Sequence, residues 1–224
     1  MFLIQQPHTI RKGMVDCFNA FMVDGAEMST PNDIPICYST IQTPPKKVIT
    51  YEEAKNSTDY DATVVFFKDD YKFDGSQKGI WSKPQECLNI VSKFAGVATP
   101  DFSTNLDFPY PLSIFNTYRM RSCGFWFIKN GLNVVNTVRW GNSDTWSYCF
   151  DGIPKNSMVI ICTHGCINNN SDKSRYKLGL SELVKRISPP TILVYGSAPD
   201  DIFSIYKTSG IKIIQYPARG YQYV

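Results

Sequence analysis

Met158-Val159-Ile160-Ile161-Cys162-Thr163-His164-Gly165-Cys166 is the stretch whose reading decides the fold. An unbroken apolar run rich in β-branched residues suits a strand covered on both faces, as strands are in a parallel sheet. The run gives way at once to a turn that carries a histidine and a thiol. The same succession recurs along the chain. Thr63-Val64-Val65-Phe66-Phe67 leads into Lys68-Asp69-Asp70, Gly96-Val97-Ala98-Thr99 into Pro100-Asp101, and Val134-Val135-Asn136-Thr137-Val138 into Arg139-Trp140. Thr191-Ile192-Leu193-Val194-Tyr195 leads into Gly196-Ser197, and Ile211-Lys212-Ile213-Ile214-Gln215 toward Pro217-Ala218-Arg219. Ligands in parallel α/β folds bind beyond the carboxyl ends of the strands, so these junctions mark where a site is expected.

Helical signals fill the gaps. Ser82 and Gln85 have capping-box spacing, and Cys87, Ile90, Val91 and Phe94 follow on one face before Gly96. A long aromatic helix is expected over Leu112 to Asn130, stopped by Gly131. Asp172 opens a third with Tyr176, Leu180, Leu183, Val184 and Ile187 in one stripe, and a fourth starts near Ser197 and ends at Gly210. Alternating strand and helix implies a single α/β domain over 1–224 with a largely parallel sheet of roughly seven strands. Two closures fit: a small irregular βα barrel, which polar residues at nearly every strand end favour, and an open doubly wound sheet. Residues 1–60 form a less regular segment packed on this domain. They contain a short helix from Met14 to Phe21, a Pro35-bearing edge strand over Asp33 to Tyr38, and Thr50 as N-cap of a helical turn.

Bulk properties narrow the partners. The net charge of +3, from 23 basic and 20 acidic residues, is too mild for a dedicated phosphate-backbone binder. Aromatic residues make up 14% of the chain, which serves packing before stacking. The apolar opening Met1-Phe2-Leu3-Ile4 is cut short by Gln5-Gln6-Pro7-His8, so no secretory leader is expected. An odd seven cysteines then read as free thiols in a reducing compartment. No apolar run approaches the ~18–20 residues of a bilayer span. A cytoplasmic protein with no membrane partner is expected.

The strand ends supply the candidate chemistry. Asp101, released from its strand by Pro100, and Asp69 are candidate bases or Mg²⁺ ligands. Arg139 offers a planar fork to phosphate or carboxylate, and Trp140 a stacking face. His164 is a candidate acid or base. Cys166 beside it is a candidate ligand contact, and nucleophile and metal roles for the Cys162–His164–Cys166 group stand as alternatives. Tyr195 and Ser197 bring a phenol and helix-start amides, and Asp151 in the turn Cys149-Phe150-Asp151-Gly152-Ile153-Pro154 is a further candidate. Arg119 and Arg121 among Tyr118, Phe125 and Trp126 read either as a single-strand binding cluster or as core aromatics with a basic edge. No phosphate loop, dinucleotide glycine fingerprint, esterase elbow or zinc spacing is present. The cofactor stays open, with Mg²⁺ as its one candidate.

The segments Gly96 to Ser103, Ile114-Phe115-Asn116-Thr117-Tyr118-Arg119, Val138-Arg139-Trp140-Gly141, Cys149 to Pro154, Thr163-His164-Gly165-Cys166 and Tyr195-Gly196-Ser197-Ala198-Pro199 resemble domain-of-unknown-function family four-four-one-seven of bacterial phages and mobile elements. The resemblance covers most of the chain after about residue 20 and implies a phage or mobile-element setting in a bacterial cell, without a mechanism. Two functions are weighed. One is an enzyme acting on a nucleotide or nucleic acid, a hydrolase above all, with Asp101 and Asp69 as base or metal ligands, Arg139 as clamp and His164 as acid or base. The other is a non-catalytic protein that captures a nucleotide or binds a host protein, as a phage counter-defence factor would.

Overall fold

A computed structural model describes residues 15–77 and 79–218; Arg219 and the apolar opening at residues 1–4 lie outside them. Among the described residues seven strands run parallel: β1 (Val48–Thr50), β2 (Thr63–Val65), β3 (Gly96–Ala98), β4 (Val134–Thr137), β5 (Val159–Cys162), β6 (Thr191–Tyr195) and β7 (Lys212–Tyr216). Their order in the sheet is their order in the chain. The crossovers carry α1 (Tyr51–Ala54), α2 (Pro84–Val91), α3 (Tyr110–Lys129), α4 (Asn170–Ile187) and α5 (Asp200–Thr208), and only β4 to β5 is bridged without an α-helix. A doubly wound sheet needs a reversal of strand order, and this sheet has none. The doubly wound alternative is therefore excluded.

The sheet is curled rather than flat. Strands β2 and β6 are four apart, which in a flat sheet would separate them by about 19 Å. Yet Phe67, just beyond β2, stacks on Tyr195 of β6 with ring centroids 5.0 Å apart. Tyr216 of β7 likewise donates its hydroxyl to the carbonyl of Pro45, ahead of β1. Among the described residues β1 and β7 share no ladder, so the result is a half-barrel.

Period-two alternation fills both faces. Val65, Ala98, Val135, Ile160, Leu193 and Tyr195 pack together inside the curl. Val64, Val97 and Val134 face outward onto Cys87, Val91, Met120 and Phe127 of α2 and α3. Val159, Ile161, Ile192 and Val194 do the same against Leu180 and Leu183 of α4 and Phe203 of α5. With the interior apolar throughout, polar side chains can gather only at the rim.

The N-terminal segment departs from its sequence reading. Asp33 to Tyr38 is no strand of the sheet: it makes one antiparallel bridge, Met28 to Pro35, and Cys37 N–H donates to the Gly152 carbonyl. Pro35 lacks the donor a ladder needs, so the segment is stapled across the fold. The first strand is instead Val48–Thr50; Thr50 caps α1, as expected, and does so in a capping box with Glu53. Ser82 does not cap α2; its hydroxyl bonds the carbonyls of Gly75 and Gly79, and Lys83 holds the cap position. The expected short helix near residue 20 is a single 3-10 turn, Ala20–Val23.

The arginines of α3 face inward. Arg119 stacks at 3.9 Å over Phe102 and pairs with Asp74 at 2.6 Å. Arg121 is completely buried and donates to three carbonyls, those of Asp151, Thr137 and Cys149. These two side chains hold the fold together: of the two readings the core one fits, except that its basic edge is buried and not solvated.

Candidate functional site

The rim is organised by two strands carrying the same local pattern. Thr137 N–H donates to Thr99 Oγ1 at 2.8 Å, and Thr137 Oγ1 donates back to the Thr99 carbonyl at 2.6 Å. This exchange fastens β3 to β4 where both end. Two residues further along each chain, Arg139 Nη1 meets Asp101 Oδ2 at 3.0 Å. The other end of the guanidinium donates to Asn105 Oδ1 at 3.2 Å. Asp101 is only 6% exposed. Burial pushes its carboxyl above the usual carboxylate range, outweighing the attraction of Arg139, and Asp70 pushes the same way. Asp101 in turn raises the Arg139 guanidinium further, against burial.

Beside this pair lies a cavity of about 190 Å³. Asp101, Arg139, Trp140, Cys162, Cys166 and Asp172 contribute to its wall. Thr104 lines it too, and its buried hydroxyl has no hydrogen-bond partner among the described residues. Buried hydroxyls are normally paired, so an unpaired one on a cavity wall suits a polar ligand atom. Trp140 is wedged in place: its ring lies 4.9 Å from that of Tyr176, and a Cβ on Gly179 would come within 2.0 Å of it. The Tyr176 hydroxyl donates to the Cys162 carbonyl, tying α4 to the end of β5. Asp172 and Arg175, a turn into α4, pair at 3.5 Å on the same wall.

After β5 the chain turns back sharply. Cys166 N–H donates to the Thr163 carbonyl, and Gly165 takes φ +75°, the geometry of a type II turn whose third position favours glycine. The turn folds Cys166 over Cys162, and both sulfurs lie 3.6 Å from the His164 carbonyl oxygen. The hydrogen bond from Cys162, reinforced by Arg139, pulls the Cys166 thiol below its ordinary value, while the same bond and burial push Cys162 up.

Four expected site residues, Asp101, Arg139, Trp140 and Cys166, thus meet around one cavity. His164 and Ser197 line the adjoining hollow with Lys173, Gln215 and Pro217, so the shared hollow expected for Asp101, Arg139 and His164 is corrected for His164. The type II turn points its second and fourth residues to different sides. Tyr195 is buried within the curl against Phe67. Asp69 is exposed at the head of a 3-10 turn, and Asp70 is bound to the Ser103 amide and hydroxyl. Asp151 lies away from the cavity; its carboxylate accepts from Asn32 Nδ2 at 2.7 Å, and it lines a groove with Ile36 and Lys155. Among the described residues no three His, Cys, Asp or Glu side chains are grouped to hold a metal ion. Thr104, Asn105, Asp172 and Arg175 escaped the sequence reading. The loop after Asp101 and the opening of α4 carried their signal, since both leave a strand end and so must cross the rim.

Comparison with known proteins places the chain. Residues 26–217 match the family described as Domain of unknown function (DUF4417). The Gene 1 protein of Mycobacterium phage L5 is 37% identical over 131 residues, covering 58% of this chain and 56% of the phage protein. The Gene 1 protein of Mycobacterium phage D29 is also 37% identical over 131 residues, covering 58% of this chain and 47% of its own length. The chain thus aligns with about half the length of the curated relatives it matches. No solved structure matches it. Among the described residues no helix is long and apolar enough to cross a membrane. With the match running through every strand of the half-barrel and both walls of the cavity, the chain belongs to the DUF4417 family.

Proposed function

We propose that the chain binds one nucleotide unit, free or within a single strand, at the rim of the half-barrel and hydrolyses a bond beside its phosphate. The observation that carries this reading is the convergence of Arg139, Trp140 and Asp101 on one cavity. A guanidinium fork suits phosphate, an indole suits a base, and a carboxyl beside them suits proton transfer. A volume of about 190 Å³ is too small for a duplex and suits part of one nucleotide unit, the remainder lying at the open mouth. With its carboxyl raised by burial, Asp101 is suited to protonate the leaving oxygen while Asp172 takes the proton of the attacking water. Mg²⁺ would enter with the phosphate, its natural partner.

A second reading, capture without turnover, is favoured by the position of His164 in the adjoining hollow, which leaves carboxyls and thiols as the proton carriers at the cavity. One experiment separates the two. Nucleotides are screened by thermal shift with and without Mg²⁺, and each stabilising compound is followed over hours. Hydrolysis predicts a shift that Arg139→Gln removes, and consumption that Asp101→Asn stops while the shift persists. A ligand recovered unchanged selects capture. Absence of any nucleotide-dependent shift overturns both.

A further inference from the structure

We propose that Cys162 and Cys166 form a reactive dithiol on the cavity wall, with Cys166 as the attacking thiolate, Cys162 as the resolving thiol, and a small disulfide of the glutathione type as reaction partner. The geometry carries the pairing. The turn after β5 brings both sulfurs to 3.6 Å from one carbonyl oxygen, that of His164, and so onto the same side of the turn. Both are partly exposed, unlike Cys37, Cys87, Cys123 and Cys149, which are buried. Both open onto the cavity beside Arg139.

The surroundings decide which sulfur attacks. Cys166 receives the hydrogen bond of Cys162 and the field of Arg139, set against burial and the carboxylates of Asp101 and Asp172. Arg175 and Tyr176 complete the wall from α4. The balance favours the thiolate on Cys166, and a thiolate beside a guanidinium in an accessible site is the usual setting of a reactive cysteine.

The exchange proceeds in two steps. Cys166 S⁻ attacks one sulfur of the small disulfide; that S–S bond breaks, half of the molecule leaves as thiolate, and a mixed disulfide remains. Cys162 gives its proton to the departing thiolate and attacks the Cys166 sulfur, expelling the second half as thiolate. Two protein thiols are oxidised to a bridge while one small disulfide is reduced to two thiols. No nucleotide is required, so this chemistry stands or falls separately from the proposed function.

Full-length protein is treated with oxidised glutathione at neutral pH, quenched by alkylation in acid, and mapped by mass. Wild type should acquire a Cys162–Cys166 bridge and lose two hydrogens, about tenfold faster than exposed Cys17 takes up glutathione. Cys162→Ser should instead accumulate glutathione on Cys166. Arg139→Gln should slow both reactions. Should Cys162→Ser fail to fold, sub-stoichiometric iodoacetamide on wild type tests the same assignment, with Cys166 labelled first. Equal labelling of Cys17 and Cys166, or glutathione remaining on both pocket thiols with no bridge, overturns the proposal.

Discussion

Two guanidinium groups meet the carboxyl end of β4, one on each side. Arg121 reaches it from α3 and spends its donors on three buried carbonyls, including that of Thr137 within the strand. Arg139 leaves the strand itself two residues later, holds Asp101 and Asn105, and keeps a side chain 29% exposed on a cavity wall. Burial pulls the Arg121 guanidinium down to about 10, still charged at neutral pH, whereas Asp101 raises that of Arg139. The first network is wholly buried and presents nothing to a ligand. The second is open, and the Thr104 hydroxyl, unpaired among the described residues, lies beside it. Chemical type alone does not separate a structural arginine from a binding one; burial of the donors among partners does.

Substitutions can break that contrast. Arg121→Met strands three buried carbonyls, and at roughly 1–3 kcal/mol each the loss should reach ~3 kcal/mol or more. Urea unfolding measures it, and any folded fraction should retain the cavity and its ligand. Gly179→Ala comes next. Alanine normally strengthens a helix, but here the added carbon would sit 2.0 Å from Trp140, so the sign reverses and about 1–3 kcal/mol is lost. Displacing Trp140 should abolish ligand binding as well, in contrast to Arg121→Met. Asp151→Ala removes the acceptor for Asn32 and should cost ~1 kcal/mol with ligand binding intact.

The smallest effect has the opposite sign. Asp101 has a folded-state pKa above its ordinary 3.8. The stability it contributes is therefore complete below the unfolded value and is lost as pH rises through the folded one. Asp101→Asn should be somewhat more stable than wild type at neutral pH, and the gap should close in acid. Equal stability at neutral pH would mean that Arg139 fully compensates the buried charge.

The parallel sheet was legible because each strand from β2 onward is an apolar run ended by a polar turn. β1 was missed because Val48–Thr50 is too short to show a period, and the Pro35 segment mimicked a strand while its hydrogen bonds go to loops. At the rim, Thr99-Pro100-Asp101 and Thr137-Val138-Arg139 carry the same threonine two residues before a charge. Strand-end position alone pointed to a meeting of Asp101 and Arg139; the threonine repeat gains its meaning only from the Thr99–Thr137 exchange in the folded chain. His164 was placed on the correct edge of the sheet but on the wrong side of a turn, since strand-end position says nothing of which way a type II turn projects its residues. Asp172 reads only as the opening of a helix, and Arg175 carries no signal of its own, because only the packed position of α4 brings them to the cavity.

The central claim is that the open network around Arg139 receives a nucleotide. Its most direct test follows the indole N–H resonances of the four tryptophans while a nucleoside monophosphate is titrated into wild type and Arg139→Gln. The predicted result is a saturable shift of Trp140 in wild type, weakened about tenfold or more in the variant through loss of a charge-assisted fork. A Trp140 signal that stays still while the compound binds elsewhere, or an equal shift in both proteins, would contradict it.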